Sequence, residues 1–278
     1  MLPFMVTQSL HSEYMGNMPP FAVITGASRG IGAEYARALA AQGYDLLLVA
    51  RDQSRLDQLA GGLHQTYSVQ VWTETLDLAR PNAGSTLYRL AQSYRPHVSL
   101  LINNAGFGMY GLFSGMPLSS IQDMLQVHIH VTTESTRLFL PDMMHQRLGA
   151  IINIASVAGL FPIPYMAEYA ATKAFIISFS EAVGMEARES GVTIQVCCPG
   201  FTETDFHQTA SHRPRHILPP QTPHDVVQTS LNALKSNKTL VTIGWPGVAT
   251  QWMARFMPKR WLMRLTSRFV RPNSLPSH

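Results

Sequence analysis

The sequence predicts an α/β fold in which a doubly wound parallel sheet carries helices on both faces. Short apolar runs alternate with segments of helical apolar spacing along most of the chain, and most of the strand-like runs read as continuous apolar stretches. A glycine-punctuated turn follows the first of them. Strands that read as continuous apolar runs are buried on both faces, as parallel sheets are. Repeated strand–helix–strand units close with right-handed crossovers and place helices on both sides.

Phe21 to Thr25 reads as the first buried strand, and the helix after the turn runs from about Ile31 to Gln42, ended by Gly43. Asp45 to Ala50 (DLLLVA) is the second strand, Ser54 to Tyr67 a helix, Val69 to Thr75 the third strand and Ala83 to Tyr94 a helix. Val98 to Asn103 is a strand, and Ile121 to Met144 has the spacing of one long helix. Ala150 to Ala155 is a strand, Tyr165 to Ser190 a second long helix, and Val192 to Cys198 a strand, with Leu240 to Ile243 a candidate last strand. There is no internal repeat and no low-complexity linker. The division expected is an N-terminal extension over residues 1–20, one doubly wound domain over 21–245 and a basic appendage over 246–278.

Composition narrows the function classes. Apolar residues make up 46% of the 278 and charged residues 14%, as in an ordinary globular chain. No apolar run approaches the roughly 18 residues of a membrane span. The first twenty residues hold no Lys or Arg and no long apolar run, so they do not read as a secretory signal. Cys197 and Cys198 are adjacent on a strand, where a mutual disulfide would be strained; buried thiols in a reducing, cytoplasmic setting are expected. The eleven histidines are scattered, and no Cys/His spacing resembles a metal site. The formal charge of +4 comes from the tail: after Asp225 there is no acidic residue, against eight Lys and Arg. That asymmetry is a local effect and does not point to nucleic acid.

The turn after the first strand is Thr25-Gly26-Ala27-Ser28-Arg29-Gly30-Ile31-Gly32. Gly26 permits a tight turn, Gly30 lets backbone approach a pyrophosphate, and Gly32 allows helix to pack on strand, while the helix N-terminus offers unpaired N–H groups to the anion. This is the Rossmann-like placement of a phosphate loop, although the spacing is G-x-x-x-G-x-G and not G-x-G-x-x-G. The second strand ends at Val49-Ala50-Arg51, where a carboxylate would bind the ribose hydroxyls of NAD. Arg51 together with Arg29 suits a 2′-phosphate through charge-assisted hydrogen bonds, so NADP(H) is favoured over NAD(H).

Tyr169 and Lys173 stand four apart in a helical segment and share a face. An ammonium about 5 Å from the phenol, at an effective dielectric of about 20, would stabilise the phenolate by roughly 3 kcal/mol. That lowers the tyrosine pKa by about 2 units, toward what acid–base catalysis near neutrality needs. Ser156 is placed to hold a substrate oxygen.

In this order the motifs resemble those of the classical short-chain dehydrogenase/reductase (SDR) family. Thr25 to Gly32 matches its cofactor loop and Asp77-Leu78 the acidic position near adenine. Asn103-Asn104-Ala105-Gly106 matches its N-N-A-G motif. Ser156, Tyr169 and Lys173 match its catalytic positions, and Pro199-Gly200 with Thr204 its P-G-x-x-x-T segment beside the nicotinamide. The resemblance covers about Phe21 to Ile243. It implies that Tyr169 exchanges the proton, Lys173 lowers its pKa and holds the nicotinamide ribose, and Ser156 orients the carbonyl. It also implies that Ser28, Gly30, Ile31, Asn104, Ala105, Gly106, Pro199, Gly200, Thr202 and Thr204 border the dinucleotide. One position departs from the family: aligning Gln126-Val127-His128-Ile129 with the helix before the serine strand puts His128 where an asparagine usually relays protons to the lysine. A histidine donates and accepts, so an altered relay is expected.

The segments that border substrate in such proteins are apolar here: Phe107, Met109, Tyr110, Leu112 and Phe113; Leu160, Phe161, Ile163, Tyr165 and Met166; Phe201, Phe206 and Ile217 to Pro220. Tyr165 is assigned to the pocket wall, since Tyr169 and not a lysine follows it four residues on. A lipophilic carbonyl or alcohol fits this lining better than a sugar. Arg260, Arg264 and Arg268 recur every four residues in a tail rich in Trp and Phe and broken by Pro258. The pattern suits an anionic membrane surface, a flap over the pocket or an oligomer contact, with packing on protein favoured. The resemblance further implies a homodimer or homotetramer. The competing readings are a nicotinamide-binding regulator without turnover, suggested by His128, and an epimerase or dehydratase, for which a second substrate domain is lacking.

Overall fold

The computed structural model describes residues 18–202 and 220–271. Seven strands form one sheet: β1 (Phe21–Thr25), β2 (Asp45–Ala50), β3 (Val71–Thr75), β4 (Leu100–Asn103), β5 (Ala150–Ile154), β6 (Thr193–Cys198) and β7 (Leu240–Thr242). All neighbours pair in parallel in the order β3-β2-β1-β4-β5-β6-β7. The order reverses between β1 and β4, and in such sheets the crevice beyond the strand ends at that point takes the ligand.

Side chains of successive strand residues point to opposite faces, and the core divides accordingly. Ala22, Ile24, Leu46, Leu48 and Ile102 pack on one side of the sheet. Phe21, Val23, Leu47, Val49 and Leu101 pack on the other. The first side is covered by α1 (Gly30–Ala40), α2 (Gln53–Tyr67) and a helix that sequence periodicity did not single out, α7 (Pro223–Leu234). The second is covered by α3 (Ala83–Tyr94), α5 (Val131–Gln146) and α6 (Ala167–Ala187). β3 is the exception to full burial: as an edge strand it is half-buried, which is why it reads Val-Trp-Thr-Glu-Thr and not as an aliphatic run.

The expected long helix over Ile121 to Met144 is interrupted. α4 (Leu118–Leu125) passes through one π-helical turn, Gln126–His130, before continuing as α5. A π turn inserts an extra residue into the α ladder, and such insertions cluster at functional sites. Here it turns Val127 and His128 into the interior. The second long helix begins at Ala167 and not Tyr165, because Tyr165 holds a φ of +65°, a left-handed conformation incompatible with a helical start for a bulky residue. The described residues end in α8 (Gly244–Phe256) and α9 (Lys259–Val270), separated at Pro258; the boundary expected at residue 246 falls inside α8. Cys197 and Cys198 are buried free thiols.

Candidate active site

A cleft of about 1080 Å³ opens at the carboxyl ends of β1, β4, β5 and β6. Gly26, Ser28, Arg29, Gly30, Ile31, Arg51, Asp77, Leu78 and the Asn104–Gly106 segment line its nucleotide end, and Ser156, Tyr169, Lys173, Pro199, Gly200 and Thr202 line the rest. Of the residues expected to act there, Gly32 and His128 sit behind the lining, and Thr204 lies outside the described residues, as do Phe206 and Ile217 to Pro219.

The loop after β1 is clamped by its neighbour across the topological switch. The Thr25 hydroxyl accepts from the backbone N–H groups of Asn104 (3.0 Å) and Ala105 (3.1 Å) and donates to the Ile102 carbonyl. The Asn104 amide donates to the carbonyls of Thr25 (2.9 Å) and Gly26 (3.2 Å). A side chain at Gly26 would meet Ala105 Cα at 2.9 Å, and Gly26 also holds a φ of +65°. Asn104 therefore shapes the loop that would hold a pyrophosphate. Beyond it, α1 begins at Gly30 with no side-chain cap and no acidic residue in its first turn. Uncapped N–H groups facing a glycine loop fit a dinucleotide pyrophosphate.

At the adenosine end, Arg29 and Arg51 are exposed and line the cleft, joined by Arg55, which sequence reasoning did not single out. Asp52, the carboxylate nearest the end of β2, is already engaged: it caps α2 by accepting from Arg55 N–H (3.1 Å) and pairs with the Arg55 guanidinium (3.3 Å). Asp77 likewise accepts from Ala79 N–H and pairs with Arg80.

At the reacting end, β5 delivers Ser156, whose hydroxyl accepts from Ala158 N–H (3.1 Å). The turn that follows lies against α6, and a side chain at Gly159 would meet the Lys173 carbonyl carbon at 2.6 Å. Gly159 is thus what lets the serine turn approach the Tyr169–Lys173 helix. Lys173 Nζ donates to the Ile154 carbonyl (2.8 Å) and stands 5.7 Å from the centre of the Tyr169 ring. Burial dominates both groups. It drives the Tyr169 phenol well above its ordinary value, against a lowering by the Ser156 hydrogen bond, and it pulls Lys173 down to about 8. Burial outweighs the lowering of the tyrosine expected from the lysine charge. The physical reason is that desolvation penalises phenolate and ammonium alike, and the lysine is tied to a carbonyl on the strand.

His128 is fully buried. Its Nε2 accepts from Phe107 N–H (3.1 Å), which leaves the ring proton on Nδ1, 2.9 Å from the Thr172 hydroxyl; that hydroxyl donates in turn to the Tyr169 carbonyl (2.8 Å). Burial, with the nearby Lys173 charge second, holds the imidazole well below its ordinary pKa, so it is neutral. A side chain at Gly106 would meet Nε2 at 2.8 Å. Beneath the site, Ser135, Asn103, Asn153 and Ser180 form a buried hydrogen-bonded row from α5 through β4 and β5 to α6. Sequence reasoning counted Asn103 in a motif but gave no signal for this row.

The apolar expectation divides. Phe107, Met109, Tyr110, Met166 and Phe201 line the cleft, but Leu112 and Phe113 point to solvent. Tyr165 is not a wall residue: its backbone carbonyl accepts from Gly111 N–H (2.9 Å), which pins the loop after β4.

Fold and cleft define an α/β enzyme that binds a nicotinamide dinucleotide. The chain matches the short chain dehydrogenase family over residues 20–215, and it belongs to that family. It is 33% identical over 253 residues to a very-long-chain 3-oxoacyl-CoA reductase of Phaeosphaeria nodorum, covering 86% of this chain and 72% of that protein. It is 33% identical to the ketoacyl reductase HetN of a Nostoc species, over 80% of this chain and 77% of the relative. Among solved structures, a short-chain dehydrogenase from Sphingobium yanoikuyae in complex with NADPH superposes with a TM-score of 0.78 at 30% identity, covering 93% of this chain and 99% of that one. The protein is an NAD(P)-dependent oxidoreductase acting on CH–OH groups.

Proposed function

We propose that this enzyme is an NADP(H)-linked reductase of ketones carried on long apolar chains. The observation that carries the reading is the contrast within one cleft. Its adenosine end is rimmed by Arg29 and Arg51, with Arg55 paired to the nearest carboxylate, Asp52. Its reacting end is walled by aromatic and thioether side chains, with Lys173 the sole Lys or Arg among the described residues lining that end. Guanidiniums recognise a ribose 2′-phosphate by charge-assisted hydrogen bonds. An apolar wall without a cationic clamp gains most from burying methylenes. The names of the fungal and cyanobacterial relatives, both reductases of oxoacyl compounds, support the same reading.

When bound, the nicotinamide supplies or accepts the hydride. Ser156 donates a hydrogen bond to the substrate carbonyl oxygen and holds it beside the Tyr169 hydroxyl, which gives that oxygen a proton in reduction and takes it back in oxidation. Lys173, held by the Ile154 carbonyl, keeps a positive charge beside the ring as the phenolate forms. Thr202 stands on a bridge to Gln221, whose side chain binds Gly200 N–H and the Ile243 carbonyl and so fixes the Pro199-Gly200 turn. His128 is a positioning residue in this scheme. As the Nδ1–H tautomer it joins the loop after β4 to the catalytic helix, and a relay through it would run by way of Thr172. If His128→Asn leaves both turnover and its pH profile unchanged, the relay is refuted.

The deciding experiment follows NADPH and NADH oxidation over ketones and 3-oxoacyl thioesters of graded chain length. The expected result is a preference for NADPH and a kcat/KM that rises with chain length. Preference for short, charged ketones would overturn the proposal.

A further inference from the structure

α8 and α9 leave an aromatic face without a partner. Trp245, Val248, Trp252 and Phe256 recur at three- and four-residue spacing on one side of α8, and the three aromatic residues are 69%, 61% and 66% exposed. The rings of Trp252 and Phe256 stack at 5.2 Å. On α9, Leu262 is the buried anchor, whereas Trp261 is 62% exposed with Leu265 beside it. A monomer rarely leaves so many large apolar groups together in water. Arg255, Lys259, Arg260, Arg264 and Arg268 lie on the same two helices, and none pairs with a carboxylate among the described residues. No acidic residue follows Asp225 in the sequence.

Charge decides what covers this face. A second copy of the chain docking by a two-fold axis would set the same patch against itself, cations against cations. An anionic bilayer surface complements both features. Tryptophan settles at the headgroup boundary, and each Lys or Arg near an anionic leaflet adds attraction. Among the described residues no helix is long and apolar enough to cross a membrane, so these helices would lie in the surface plane. The helix pair also reaches the cleft: Val270, at the end of α9, packs on the buried cluster that contains Met166 and Tyr169.

We propose that α8 and α9 form a plate that docks on anionic lipid headgroups and holds the apolar wall of the cleft at the bilayer boundary, where a long-chain substrate enters without crossing water. The entry route rests on the lipophilic-substrate reading above; the docking surface does not.

The test is flotation of the full-length protein with vesicles of phosphatidylcholine alone or with about one-third phosphatidylglycerol. The protein should float with the anionic vesicles and stay below with the neutral ones. Trp252→Ser with Trp261→Ser, and separately Arg264→Glu with Arg268→Glu, should each lower the bound fraction by about tenfold or more. Both pairs should melt by circular dichroism as the parent does. Failure of the parent to float, or equal flotation of folded variants, overturns the proposal. So does a dimer in light scattering that the tryptophan pair dissociates, since a second copy would then cover the face. Flotation reads nothing of catalysis, so its outcome and that of the chain-length assay separate the plate from the reductase reading.

Discussion

The two ends of the cleft are built from different materials. The nucleotide end is shaped mainly by backbone: glycines and an uncapped helix start, clamped through the Thr25 hydroxyl between two strands, with arginines at the rim. The reacting end is built from buried and half-buried side chains, each held by a bond to backbone or to another side chain. Backbone sites depend on small residues at fixed spacing. Side-chain sites depend on neighbours far away in sequence, so the second end is the more fragile to substitution and the harder to foresee.

The largest effect should come from removing the proposed proton donor. Tyr169→Phe is expected to lower kcat by about 10³-fold while leaving nucleotide binding intact, measured by NADPH oxidation and by quenching of protein fluorescence on titration. Equal loss of nucleotide binding would mean that the two ends are not separable. Gly106→Val places atoms where His128 Nε2 sits and should cost about 2 kcal/mol in urea unfolding as the histidine gives way. A stability unchanged from the parent would show that the histidine is not packed as described. Arg51→Ala should raise KM for NADPH by about tenfold and leave NADH nearly untouched; parallel changes for both cofactors would remove the 2′-phosphate assignment.

The smallest effect concerns pH. Folded His128 stays neutral, whereas in the unfolded chain it takes up a proton as pH falls below about 6.5, so its contribution to stability is lost on acidification. In His128→Asn the fall in urea midpoint from pH 7 to pH 5 should be shallower. An equal or steeper fall would mean that the folded imidazole can be protonated.

Much of this was legible in the sequence. The parallel sheet with helices on both faces followed from buried apolar runs separated by helical segments, and residues of the phosphate loop, Asn104–Gly106, Ser156 and the Tyr169–Lys173 pair reach one cleft. What escaped was set by distant partners. α7 has a local signature after all, Thr222-Pro223-His224-Asp225, in which the threonine hydroxyl accepts from Asp225 N–H and donates to its carboxylate. The pKa balance of Tyr169 and Lys173 could not be read from a four-residue spacing, because burial outweighs the charge between them. The buried row from Ser135 to Ser180 joins four elements and leaves no periodic trace.

The π turn at Gln126–His130 fixes a phase. Each residue of a helix advances about 100°, so the one inserted there sets α5 out of step with α4 by that angle. Val131, Ser135 and Phe139 face inward only because the slip comes before them. A one-residue deletion at this turn would rotate the whole buried stripe of α5 and carry His128 with it. Length at this point is therefore constrained more tightly than residue identity, and variation should enter by substitution while the residue count stays fixed.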